Sequence, residues 1–254
     1  MASGERLPVV LGLDYPGLER RPRLTGLSTQ LTVRLVDVLG GRLPQAFTSE
    51  EWARELLGRL ATPEDEIACV AAFCMAAPIG QDIARILFER TGRVVPVIAV
   101  DGAGCPPSFV ATSFESLLSR YGDRASTVDV SETSLRQDPA GVLGLMREAL
   151  MAAATDVLMG DIGDAVVARE IAAELTGAAV DWLRHLIAVH NATYTPWPGP
   201  VHLVNSSEAP LWGNWPGASA TEITAVECTR LELLGRREVA RVINEVAAAP
   251  PVTG

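Results

Sequence analysis

Lysine is missing altogether. All 21 basic residues of this 254-residue chain are arginines, which excludes Schiff-base catalysis and the phosphate-binding lysine of a P-loop. Histidine is scarce: His185, His190 and His202 are the only three. His185 and His190 stand five apart on a helical stretch, roughly 140° around its axis, and so share no metal-binding face. Cys69, Cys74, Cys105 and Cys228 lack the spacing of a zinc site, so no metal is expected and the four read as free thiols. No apolar run reaches the roughly 18 residues of a membrane span. The start, Met1 to Arg6, lacks the apolar core of a signal peptide, and the expectation is a cytoplasmic protein away from membranes. A basic surplus is absent too. The net charge of −10 has the wrong sign for a phosphate backbone, so nucleic acid is not an expected partner.

What is present is apolar and alternates between two periods. Hydrophobic residues make up 48% and the mean hydropathy is +0.21, which suits one α/β domain over 1–254 with a large core or a core plus a helical lid. The stretch from Glu66 to Phe73 reads as a buried strand, and Ile79 to Leu87 as a helix. Between them the small residues Ala72 to Ala77 make a sharp turn around Cys74. Strand, turn and helix in that order form a nucleophile elbow, which lifts one side chain above the sheet. Ala72 and Ala76 stand where the usual elbow has glycine, so an ordinary turn with a buried structural cysteine stays an alternative. The next apolar run, Val94 to Val100, ends in Asp101, 27 residues after Cys74. Carboxyl ends of parallel strands are where ligand and catalytic groups collect.

In the segments Phe73 to Gly80 and Val97 to Asp101, the chain resembles the thioesterases of polyketide and nonribosomal peptide assembly lines. That resemblance implies an α/β-hydrolase fold: a mostly parallel sheet, with a helical lid inserted after the aspartate-bearing strand. With cysteine as nucleophile, the chain is similar to the Dieckmann cyclases that release tetramate and pyridone products. Their Cys, Asp and His triad carries over at Cys74 and Asp101. The resemblance also implies an acyl or peptidyl carrier protein as partner, a polyketide-peptide chain presented on phosphopantetheine as substrate, and no cofactor of the protein's own.

Along the chain, Leu7 to Leu13 reads as a first strand and Asp14 to Gly17 as a turn. By the resemblance, the oxyanion hole is made by the backbone of Tyr15, or a near neighbour, and of Met75; a plain Pro-Gly turn is the alternative. Apolar residues from Leu27 to Leu39 fall at helical spacing, and Thr48 opens another helix that feeds the elbow strand. Gly102-Ala103-Gly104 lacks the third glycine of a dinucleotide loop, and Pro106-Pro107 interrupts the helix start there. Helical patterns fill 113–193, the expected lid: Ser113 to Arg120, Pro139 to Leu158, Asp161 to Leu175 and Thr176 to Thr193. Val201 to Asn205 and Ile223 to Val226 read as the last strands, Leu231 to Val246 as the closing helix, and Pro250 to Gly254 as a frayed tail.

One triad member is missing from its expected place. The segment before the closing helix reads Glu227-Cys228-Thr229-Arg230-Leu231, without histidine. His202 lies in a strand, and His190, ahead of His185, is the candidate base from the lid. Cysteine tolerates this loss better than serine, because an ordinary thiol, with a pKa near ~8.5, is already partly thiolate at neutral pH. A carbanion between two carbonyls needs only a modest base. Three readings follow: Dieckmann-type cyclisation from Cys74, editing hydrolysis by a type II thioesterase, or a lapsed thioesterase that binds an acyl carrier protein without turnover.

Overall fold

The computed structural model describes residues 7–15, 22–122, 127–210, 212–250 and 252–253. In chain order its elements are β1 (Val9–Leu13), β2 (Arg34–Asp37), α1 (Ser49–Gly58), β3 (Ile67–Phe73), α2 (Ala77–Thr91), β4 (Arg93–Val94) and β5 (Val97–Val100). There follow α3 (Pro107–Leu118), α4 (Glu132–Gln137), α5 (Pro139–Ile162), α6 (Ala165–His190), β6 (Pro200–Asn205), β7 (Ala220–Ala225), α7 (Arg230–Leu233), α8 (Arg237–Ala248) and β8 (Val252–Thr253). The chain divides into two compact units. One is built from the chain up to Pro44, Ser49–Gly104 and the part from Ala192 on; the other from Gln45–Thr48 and Cys105–Asn191.

The first unit is organised by a six-stranded sheet in the order β2-β1-β3-β5-β6-β7, every pairing parallel. The central strands β1, β3 and β5 are buried almost without interruption, which is why they read as continuous apolar runs rather than alternating ones. The register with β1 skips Ala68, a bulge after which Val70 and Ala72 face one side of β3 and Cys69, Ala71 and Phe73 the other. Helix α2 lies close on the first side because Gly80 has no side chain: a Cβ there would come 3.1 Å from the Cβ of Ala72 and 3.3 Å from Cγ1 of Val70. On the second side α8 contributes Val239, Val242, Ile243 and Val246 to a core shared with Ile98, Val100 and Val204. Each such aliphatic side chain adds about 1.5–3 kcal/mol when buried.

Several expectations need correcting. Leu27 to Leu39 is not a helix. A short 3-10 turn, Leu24–Leu27, leads into β2, which pairs in parallel with β1. The edge of β1 would otherwise leave its backbone unpaired, and Arg34 N–H and Val38 N–H flank that ladder by donating to the carbonyls of Pro8 and Gly12; sheet completion outweighs a chance helical spacing. Val94 to Val100 is split, because Pro96 has no N–H to give a ladder. Its first part, β4, pairs antiparallel with β8, so the tail ends in a strand rather than fraying. Pro107 does not obstruct α3 but opens it, a first-turn position where its missing N–H costs nothing. The break expected at Leu175-Thr176 is absent: α6 runs through it, the Thr176 hydroxyl donating to the Ala172 carbonyl. The closing helix is broken instead, into α7 and α8.

The second unit is helical. Its two long members, α5 and α6, are each closed by identifiable caps: Asp138 and Asp164 accept N–H bonds at the amino ends, and Gly163 ends α5 in the left-handed conformation, as helix termini require.

Candidate active site

Cys74 directly follows the last residue of β3 and begins a 3-10 turn that continues into α2. Its φ is +53°, in the left-handed region. A non-glycine residue held there costs about 1–3 kcal/mol, and such positions concentrate at functional sites. The left-handed residue turns the chain sharply from strand into helix, and the half-buried Cys74 side chain packs at the margin of the core formed with Phe73 and Val100. Of the four cysteines, none in a disulfide, Cys74 is partly exposed and the others are buried. Burial pushes the Cys69 thiol up to about 12 and raises Cys228 as well, so neither is a reactive thiolate at neutral pH.

Parallel register brings other residues alongside. Leu13 of β1 pairs with Ala72, so Tyr15 comes abreast of Cys74; Phe73 pairs with Val100 of β5, so Asp101 comes abreast on the other flank. The Ala103 N–H donates to the Cys74 carbonyl at 3.3 Å, tying the two turns together. Strand order reverses between β1 and β3, since the chain passes from β1 outward to β2 and then to the opposite side. Such a switch point opens a crevice at the carboxyl ends of the strands, and Tyr15, Cys74 and Met75 are at that edge. Pro16 and Gly17 of the expected turn lie outside the described residues.

Asp101 also has a left-handed φ, +48°, and is fully buried. Both carboxylate oxygens are engaged. Ser206 donates its N–H to Oδ1 at 2.6 Å and its hydroxyl to Oδ2 at 2.7 Å, and Arg230 donates Nε–H to Oδ2 at 3.3 Å. No imidazole is among these partners. Arg230 belongs to the segment where the resemblance implies a histidine, and it is a permanent cation that cannot take up a proton. Neither partner carries a sequence signal for this role: Ser206 opens the loop after a strand, where the chain resembles the family's penultimate strand and loop, and Arg230 lies in the segment that lacks histidine.

An aromatic wall stands beside Asp101. Trp212 donates its indole N–H to the Gly102 carbonyl at 2.9 Å, and Trp215 donates to Oε1 of the buried Gln81 at 2.7 Å. The Trp215 ring stands between two others, its centroid 6.0 Å from that of Tyr194 and 5.3 Å from that of Trp212. Gly102 permits this approach, because a Cβ there would meet the Trp215 ring at 2.8 Å.

The histidines are elsewhere engaged. His190, in the helical unit, donates Nδ1–H to the Cys105 carbonyl at 2.9 Å, which leaves the lone pair of the neutral ring on Nε2, 3.4 Å from Glu132 Oε2. His185 is buried against Trp182, and burial lowers its pKa to about 3. His202 pairs with Glu222 across β6 and β7 at 3.1 Å. Both line a cavity of about 510 Å³ with Pro8, Pro96 and Pro200, near the amino ends of the strands and away from Cys74. Among the described residues no cluster of acidic, histidine or cysteine side chains could hold a metal, and no helix is long and apolar enough to cross a membrane.

No family model and no curated protein matches the chain. Solved structures do. RedJ, a thioesterase from the prodiginine biosynthetic pathway in Streptomyces coelicolor, is 15% identical, with 95% of this chain and 93% of RedJ covered at a TM-score of 0.51. A candidate epoxide hydrolase from Pseudomonas aeruginosa is 14% identical over 96% of this chain and 90% of its own, at 0.50. The fold is that of the α/β-hydrolases. Part of AB3403, a four-domain nonribosomal peptide synthetase, gives a TM-score of 0.54 at 14% identity, covering 96% of this chain and 20% of AB3403.

Proposed function

We propose that this α/β-hydrolase-fold protein processes acyl thioesters through Cys74, accepting a chain from a carrier-protein phosphopantetheine and releasing it by intramolecular Dieckmann-type cyclisation. The observation that carries the reading is the left-handed Cys74 at the strand-to-helix turn, with Asp101 abreast on the next strand. RedJ and AB3403, proteins of natural-product assembly by their names, share the fold, and support the choice of thioesters over other acyl donors.

The first step exchanges one thioester for another. The Cys74 thiolate attacks the carbonyl carbon, the oxyanion is held by the backbone N–H groups of Met75 and Tyr15, and the carrier thiolate leaves. Exchange between sulfur atoms is nearly isoenergetic, so it needs little from a base. Release by water does need one, and Asp101 presents a guanidinium where an imidazole would serve. That difference favours ring closure by an acidic carbon over editing hydrolysis. His190, whose neutral tautomer keeps a lone pair on Nε2, is the imidazole to test first as a base.

Incubation with a β-ketoacyl-aminoacyl thioester separates the readings. Intact mass is expected to show an adduct lost in Cys74→Ala, followed by a ring product. Free acid in its place would support the type II editing reading, and the absence of any adduct would leave a lapsed fold that binds a carrier protein.

A further inference from the structure

We infer that Arg230 is the binding residue for the substrate's enolate, the planar, negatively charged β-dicarbonyl that must form before a ring can close. This rests on the acyl-thioester reading for its place in the reaction, but its basis is the setting of the guanidinium. Asp101 takes Nε–H, and the Glu208 carbonyl takes an N–H from Nη2 at 3.4 Å. The Arg230 backbone N–H also donates to Glu208 Oε2 at 3.1 Å, fixing the start of α7. A guanidinium has five N–H donors in a planar fork, so Nη1 and the second Nη2 hydrogen remain unengaged among the described residues. The side chain is 34% exposed, whereas the Asp101 side chain beneath it is 0% exposed. Arg230 is therefore a cation anchored from below by a buried anion, with donors left over, at the edge of the sheet that carries Cys74.

That arrangement suits one kind of partner. A single ion-paired carboxylate orients the cation, and the unused N–H groups match a pair of coplanar oxygens. A β-dicarbonyl enolate offers such a pair. The carbon between the two carbonyls gives its proton to solvent water, and the resulting enolate is held against Arg230. The enolate carbon then attacks the carbonyl of the Cys74 thioester; the new C–C bond forms, the C–S bond breaks, and the Cys74 thiolate recovers a proton from solvent. Arginine here lowers the cost of the anion instead of removing the proton.

The test uses an N-acetoacetyl amino acid amide, an enolisable β-ketoamide that cannot acylate Cys74. Its ultraviolet enolate band is titrated with pH in the presence of excess protein. With the unmodified protein, half-ionisation is expected to fall by about one pH unit or more, as for an acid beside a fixed cation. Arg230→Gln should abolish the shift and Arg230→Lys should retain part of it, circular dichroism confirming that both fold; should Arg230→Gln unfold, the Lys variant alone decides. The rate of ring closure per acylated Cys74 should drop about 100-fold in Arg230→Gln, the scale of losing one oxyanion donor. An unshifted titration with the unmodified protein, or a shift of equal size in the Gln and Lys variants, overturns the inference. An Arg230-dependent shift without any Cys74 adduct would retain the enolate site and reject the acyl-transfer reading.

Discussion

The buried carboxylate of Asp101 accepts Nε–H of Arg230 at 3.3 Å, so the aspartate that would steer a base in a triad steers a cation. Arg230→His replaces that cation with an imidazole on the same aspartate. The product ratio is expected to move toward free acid by tenfold or more, the lower range of general-base contributions being about 100-fold. Hydrolysis should rise with pH through a midpoint above about 6.5, the value of an ordinary imidazole, because the paired carboxylate favours the charged ring. Chromatography of ring and acid products across pH 5 to 8 checks this; a ratio that stays put would mean that Asp101 does not align a base for water.

Ser206 supplies two of the three hydrogen bonds to Asp101, one from its backbone and one from its hydroxyl. Ser206→Ala keeps the first and removes the second, leaving a buried charged oxygen short of a donor. The loss should be about 1.5–3 kcal/mol by urea unfolding. Ser206→Thr retains a hydroxyl and should recover most of it.

Gly102→Ala would place a methyl 2.8 Å from both the Ala99 Cβ and the Trp215 ring. Overpacking of this kind costs about 1–3 kcal/mol, and tryptophan fluorescence should report the displaced indole. Gly144 makes a matched control on α5: a Cβ there meets nothing within 4 Å, so Gly144→Ala should be neutral or gain up to about 1 kcal/mol of helix propensity.

His185 makes stability depend on pH. Burial lowers its pKa from 6.5 to about 3 in the folded protein, so between those values the unfolded chain binds more protons. The stabilisation is complete above pH 6.5 and is lost as the pH falls toward 3. Between pH 6.5 and about pH 4 the change should be on the order of 3 kcal/mol. Thermal unfolding at several pH values should show that slope, and His185→Leu should flatten it over the same window.

The sheet was legible where strands are buried on both faces. Ile67 to Phe73 and Val97 to Val100 announce themselves as apolar runs, and the turn at Cys74 follows from the small residues after them. Segments whose state depends on a distant partner were not legible: Arg34 to Asp37 becomes a strand because β1 has an open edge, and Val252-Thr253 because β4 does. The candidate site divides in the same way. Cys74, Met75, Tyr15 and Asp101 sit at strand ends that a local pattern reveals. Ser206 and Arg230 join Asp101 across 105 and 129 residues of chain, and polar residues in connecting loops carry no periodicity to mark them.

The non-sequential order of an all-parallel sheet also affects how the protein folds. Tyr15, Cys74, Asp101, Ser206 and Arg230 come from five stretches of chain that meet only when β1, β3, β5 and β6 have paired and α7 has docked. Pairings so distant in sequence are slow to close. No early folding species can contain the candidate site, so regain of Cys74 acylation by a thioester after dilution from urea should track the last kinetic phase, behind the recovery of helical circular dichroism.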